Sequence, residues 1–256
     1  MNCFCQRRLP RATRWTGLFL LFLLTAAAVS GADQERLVIG EFSAADPSDS
    51  SLPEGWEPLT FDKIDRHTRY DLVRDVGTTV IRARSNRSAS GLIRKIRIDP
   101  QEFPVIRWSW KISNVYQQGD VTRKSGDDYP ARIYIAFAYN PEQAGFWEKA
   151  KFGAAKAIYG EYPPKAAINY IWGSRAPVDT RAPNPFTDRV MMITVESGAK
   201  LKNRWITETR NVYQDFREVF GEKPPMISGV AVMTDSDNTG ESAVSYFGDI
   251  SFTRGK

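Results

Sequence analysis

Apolar residues recur at every second position, or run unbroken for five to nine residues, in a dozen stretches of this chain, and Gly, Pro, Asn or Asp separates each from the next. On that pattern strands are predicted at 37–42, 56–61, 70–74, 79–84, 92–98, 105–112, 132–139, 167–172, 189–195, 204–209, 229–234 and 245–253. Two stretches follow a helical period instead. In 146–159, "FWEKAKFGAAKAIY", Phe146, Ala150, Ala154 and Ala157 fall on one face, and Gly160 with Pro163 and Pro164 ends the run. In 212–220, Val212, Phe216, Val219 and Phe220 form the stripe, Asn211 caps the start, and Gly221 and Pro224 stop it. These elements predict an all-β chain, a jelly-roll-like β-sandwich of about twelve short antiparallel strands with two short packed helices. The segments "DPSDSSLPEG" from Asp46 and "APVDTRAPNPFTD" from Ala176 read as loops, the second long enough to border a site.

The first residues change how the rest is read. Arg7, Arg8, Arg11 and Arg14 precede an apolar run over 18–29 and the small residues Ser30, Gly31 and Ala32, the layout of a secretory signal peptide cleaved after Ala32. An uncleaved anchor is the alternative, although the run falls short of the ~20 residues that span a bilayer. The pair Arg7-Arg8 fits a twin-arginine signal poorly because Leu9-Pro10 follows it, and no cysteine follows the apolar run to carry a lipid. The expected organisation is therefore 1–32 as signal peptide and 33–256 as one sandwich domain, periplasmic or secreted, with no stable membrane span after cleavage. The whole chain carries a net charge of +5, but the leader holds four basic and no acidic side chains, which leaves 31 basic against 30 acidic residues. So near a balance gives no bulk attraction to nucleic acid. Cys3 and Cys5, the only cysteines, leave with the leader, so the mature chain has neither disulfides nor thiol chemistry.

Three blocks, "RWSWKI" at 107–112, "GDDYPARIYIAF" at 126–137 and "GVAVMTDSDNTGESAVSYFGDISF" at 229–252, together resemble a bacterial exported family catalogued as domain of unknown function 3047. The likeness runs over nearly the whole mature chain. It implies the sandwich and the export, and it brings no established activity, so no catalytic role is carried to any residue. The final "YFGDISF" strand is also similar in outline to galactose-binding and carbohydrate-binding jelly-roll modules, a likeness of fold alone.

Absences narrow the chemistry. With His67 as the single histidine and no mature cysteine, a zinc site with several N or S ligands is excluded, and a Ser-His-Asp triad would have to use His67, which reads as a turn residue. There is no glycine-rich phosphate loop and no G-x-S-x-G elbow.

Three stretches remain as candidates. In "VIRWSWKI" a period of two puts Ile106, Trp108, Trp110 and Ile112 on one face and Arg107, Ser109 and Lys111 on the other; Trp110 is either core or the floor of a groove that stacks on a sugar ring. In "SGDDYPARIYIAF" Ile133, Ile135 and Phe137 mark the core face, which turns Arg132 and Tyr134 toward solvent or a concave groove. Asp127 and Asp128 then either cap a turn that Arg132 clamps or line the mouth of that groove. As neighbours they point to opposite sides of the backbone, a poor hydrolytic pair unless one faces Asp235, Asp237 or Asp249 from another strand. In the third stretch Asp235, Asp237 and Gly240 match the first half of a calcium loop, but Tyr246 stands at the twelfth position where a bidentate Glu is required, so an EF-hand is rejected. A smaller oxygen-ligand site built on Asp235 and Asp237, with Asn238 beside them, would take calcium; otherwise the stretch is a hairpin turn and no cofactor is expected.

The function expected from these residues is non-catalytic binding of a glycan or envelope ligand in a groove of Trp110, Asp127, Asp128, Arg132, Tyr134, Asp235, Asp237 and Asn238. The alternatives are a periplasmic polysaccharide hydrolase or lyase using carboxylates and Arg132 in the same groove, and a structural or interaction protein.

Overall fold

In β6 (Val105–Ile112) the expected alternation holds: Ile106, Trp108, Trp110 and Ile112 are buried, Arg107 is exposed, and Ser109 and Lys111 are partly so. The computed structural model that establishes this describes Met1 and residues 35–48, 51–142, 144–159 and 162–255; the expected leader beyond Met1 lies outside the described residues.

Among the described residues the strands form two sheets. The six-stranded sheet runs in the order β11 (Ile206–Asn211), β6, β13 (Ser242–Thr253), β4 (Thr78–Asn86) and β3 (Arg69–Asp75), with β1 (Arg36–Gly40) joined to the second half of β13. The seven-stranded sheet runs β2 (Glu57–Leu59), β5 (Ala89–Ile98), β12 (Ile227–Asp235), β7 (Arg132–Phe137), β8 (Ala166–Gly173), β10 (Thr187–Ser197) and β9 (Arg181–Asn184). Their inner faces meet through large aromatics. Trp108 stacks on Tyr170 of β8 with centroids 5.3 Å apart, and Trp110 tilts against Trp172 at 5.8 Å. Each such side chain stabilises the fold by roughly 1.5–3 kcal/mol relative to an exposed one, which is how a core holds without cross-links.

All twelve expected strands are present, and the β-sandwich is the fold. Three details differ. The Pro-rich segment from Ala176, expected as a loop, contributes the short edge strand β9, which Pro183 can join because an edge leaves one N–H row unpaired. The pairing of β8 with β10 is parallel, so the antiparallel expectation fails there. Finally, β12 and β13 belong to different sheets, so the acidic segment between them is a crossover and not a hairpin.

A second crossover, from β4 to β5, runs beside it. The two are stitched together: Ser236 N donates to Ser88 O at 2.9 Å, the Ser85 and Ser236 hydroxyls lie 2.6 Å apart, and Arg87 N donates to Glu241 O at 3.0 Å. Arg87 at φ 50° and Gly240 at φ 70° supply the left-handed turns that this requires.

Of the two helices, α2 (Val212–Phe220) matches its pattern: Asn211 accepts from Gln214 N, Gly221 at φ 71° ends it, and Phe216 packs on Phe137 at 4.4 Å. In α1 (Phe146–Tyr159) the expected stripe is not the buried one. Phe146 is 76% exposed and Ala150 and Ala157 are exposed, while Phe152 is buried and stacks on Tyr139 at 3.9 Å. A single large ring outweighs several alanines in apolar area, and it sets the face that packs. No helix among the described residues is long and apolar enough to cross a membrane.

Candidate functional site

Arg132 opens β7 on the face opposite Ile133, as its place in the alternation requires, yet it is only 5% exposed. The outer face of the seven-stranded sheet is covered at this end by the β6–β7 connection, whose Val121 and Tyr129 pack on Ile171 and Met192. Arg132 Nε donates to Asp235 Oδ1 at 2.9 Å, its Nη2 pairs with Asp235 Oδ2 and donates to Asp127 O at 3.2 Å, and Cζ lies 4.7 Å from the centre of the Tyr129 ring. Asp235 also accepts the Tyr129 N–H at 3.1 Å. The expectation that Arg132 turns toward solvent or a groove is therefore corrected: it clamps the connection from beneath.

Asp128 is fully buried and holds the crossover. One of its oxygens accepts from Asn238 N at 3.3 Å and Asn238 Nδ2 at 3.1 Å, and the other accepts from Thr239 N at 2.5 Å. Asp127 diverges from it, as adjacent residues in extended backbone should, and accepts from Asn184 Nδ2 of β9 at 2.7 Å. Burial pushes the Asp127 carboxyl up, and Arg132 and Asn184 pull against that shift. Asp237 is half-buried and its carboxyl is also pushed up, first by desolvation and then by the negative charge of Asp128.

Asp128, Arg132, Asp235, Asp237 and Asn238 thus do converge from three segments. Asp128, Asp235 and Asp237 each place a carboxylate oxygen within 4.8 Å of the other two, close enough to share a cation. Two of the three carboxylates, however, already hold donors on both oxygens. Both oxygens of Asp235 face the Arg132 guanidinium and both oxygens of Asp128 accept N–H groups, whereas calcium takes six to eight oxygens. Both carboxyls are also closed off from solvent, Asp128 at 0% and Asp235 at 2% exposure.

One expected groove residue stands elsewhere. Trp110 is 0% exposed, enclosed by Trp108 and Trp172, with Nε1 donating to Glu208 at 3.3 Å, so it has no free face for a sugar. Tyr134 stays on the Arg132 side of the seven-stranded sheet, in register with Asn169 and Ala231 and partly exposed, and burial pushes its phenol up to about 12.

An open surface of the right character lies on the outer face of the six-stranded sheet. Register places Lys111, Tyr246, Arg82 and Asp71 in one row across β6, β13, β4 and β3, all pointing away from the core. Trp205, just before β11, joins this row. Lys111 Nζ lies 4.3 Å from the Tyr246 ring centre and 5.4 Å from that of Trp205, and Asp75 receives both Lys111 Nζ and Trp205 Nε1 at 2.6 Å. Gly248 keeps the surface flat beside Trp205, since a Cβ there would meet Ser109 Oγ at 2.3 Å. Both aromatic rings are partly exposed. The outward set Arg107, Ser109 and Lys111 was legible in the alternation; the grouping of Trp205 with Tyr246 was not, because nothing in the sequence pairs residues from separate strands.

Structures similar to this chain include the native family 12 xyloglucanase from Bacillus licheniformis, at 7% identity and TM-score 0.44, covering 86% of this chain and 100% of that one. The carbohydrate recognition domain of Emp47p matches at 12% identity and TM-score 0.42 over 86% and 98% of the two chains. The xylan-binding module CBM15 matches at 9% identity and TM-score 0.33 over 87% and 98%. At these identities no residue role passes to this chain. A search of curated proteins gives no match. The family described as Protein of unknown function (DUF3047) matches residues 54–251, well over half of the chain, and the chain belongs to this family.

Proposed function

We propose that the protein is an exported, non-catalytic binder of a glycan or similar envelope ligand, and that the ligand lies on the outer face of the six-stranded sheet. The observation that carries this reading is the pair of partly exposed rings, Trp205 and Tyr246, set on either side of Lys111 in an outward row with Arg82 and Asp71. Flat aromatic faces stack on the apolar faces of sugar rings, and flanking charged side chains give and take hydrogen bonds with hydroxyls. The buried carboxylates support the non-catalytic part, because both oxygens of Asp128 and of Asp235 are out of solvent and bonded to donors of their own chain. They act as a scaffold that fixes the crossovers at one end of the sandwich.

The test is a glycan-array screen with a parallel assay for released sugar. Binding without turnover is expected, weakened at least tenfold by Trp205→Ala. Turnover that Asp128→Asn abolishes would overturn the non-catalytic reading, and binding that Trp205→Ala leaves intact would remove the ligand from this face.

A further inference from the structure

A second open feature adjoins the aromatic row. A cavity of about 620 Å³ is lined by Asp65, Arg66, His67, Arg69, Arg84 and Ser88, together with Ser85 and Asn86. Its charge is unbalanced, with three guanidiniums against one carboxylate.

The arrangement of the arginines is not one that folding favours. Arg69 and Arg84 are direct cross-strand partners on the outer face of β3 and β4, where like charges repel. Neither Arg66 nor Arg69 pairs with a carboxylate among the described residues. Arg84 reaches Asp71 only at 3.6 Å, because Arg82 already holds that carboxylate with bonds of 3.2 and 2.5 Å. Beneath them the floor is rigid. Ser85 and Ser88 are buried, and Ser85 Oγ donates to Ser88 O at 2.9 Å within the stitched crossovers. Two guanidiniums without a carboxylate partner and a third held only at 3.6 Å line one cavity over a fixed floor, and their fork geometry suits an oxyanion. The volume is that of a small-ligand site rather than of a single ion.

Along β4, Arg82 and Arg84 alternate with buried Ile81, Ala83 and Ser85, so the cavity continues the face that carries Tyr246 and Trp205. We infer that this cavity binds the carboxylate or phosphate group of the ligand, which makes the ligand an acidic glycan. The inference rests on the proposed sugar platform for the word glycan, while the oxyanion site stands on the arginines alone.

The probe that separates the two is inorganic pyrophosphate, titrated calorimetrically into the full chain at constant ionic strength. Saturable binding is expected, weakened at least tenfold in Arg66→Gln/Arg69→Gln/Arg84→Gln and unchanged in Trp205→Ala. No heat beyond that of chloride, or an unaffected triple variant, overturns the oxyanion site while leaving the platform standing. A second arm compares an oligogalacturonate with its methyl ester: preference for the free acid that the triple variant loses supports the acidic glycan. Equal binding of acid and ester overturns it, and retention on phosphatidylglycerol vesicles with none of the uronate would move the oxyanion to a lipid headgroup and overturn the glycan assignment.

Discussion

Arg132 and Asp235, 103 positions apart in the sequence, form a buried ion pair with Nε 2.9 Å from Oδ1, and this pair closes one end of the sandwich. It ties β7 to the last residue of β12 and, through the Asp127 carbonyl and the Tyr129 N–H, to the β6–β7 connection. Removing one partner leaves the other charge uncompensated out of water. Asp235→Asn and Arg132→Met are each expected to lower unfolding free energy by about 3–5 kcal/mol, measured by urea denaturation. The double variant Arg132→Met/Asp235→Leu should lose less than the sum of the two. A single-variant loss under about 1 kcal/mol would mean that water reaches the pair.

The same residues bear on metal binding. Because Arg132 already neutralises Asp235, millimolar calcium is expected to leave the melting temperature unchanged, and chelator likewise. A rise of several degrees with calcium would show that the cation displaces the guanidinium.

A pH dependence originates on the other side of the core. Burial first, and then the negative charge of Glu196, push the Glu208 carboxyl from its ordinary 4.5 up to about 7, against the hydrogen bond from Trp110. Between those two values the folded chain keeps a proton that the unfolded chain has released, so stability falls as pH rises through this window and levels off above it. Unfolding free energies from urea denaturation at pH 5 and pH 8 should differ by about 1–3 kcal/mol through this group. Glu208→Gln should remove that part of the slope; an unchanged slope would place the effect elsewhere.

At Gly248 the close approach is steric, not conformational. Gly248→Ala would drive a Cβ to 2.3 Å from Ser109 Oγ, with an expected loss of about 1–3 kcal/mol. Ser109→Ala removes the obstructing oxygen, so the double variant should recover most of the loss. Failure to recover would implicate the Trp205 ring, 3.6 Å from the same point.

Two aromatics of the same sheet should respond in opposite ways. Trp110→Ala empties a fully buried site and is expected to cost about 3–5 kcal/mol of stability. Tyr246→Ala, on the outward row, should change stability far less and lower ligand affinity. Equal effects of both on folding would argue that the row is structural.

Much of this molecule is determined locally. The period-two alternation in "VIRWSWKI" and "RIYIAF" dictates which side chains enter the core, because a strand has two faces and only one can be covered by the opposing sheet. Asn211 and Gly221 bound α2 through backbone requirements of single residues, and the divergence of Asp127 from Asp128 follows from the geometry of extended backbone. The same alternation puts Arg132 opposite Ile133, but whether that opposite face is solvent or interior depends on a covering connection, and no local pattern states what lies above a sheet. Tertiary structure alone brought Asp235 to Arg132, buried Trp110 beyond reach of any ligand, turned the acidic segment from a hairpin into a crossover, and set Trp205 beside Tyr246. Strand order and sheet membership arise from long-range packing of two faces, and residues far apart in the chain acquire common chemistry only when that packing is complete.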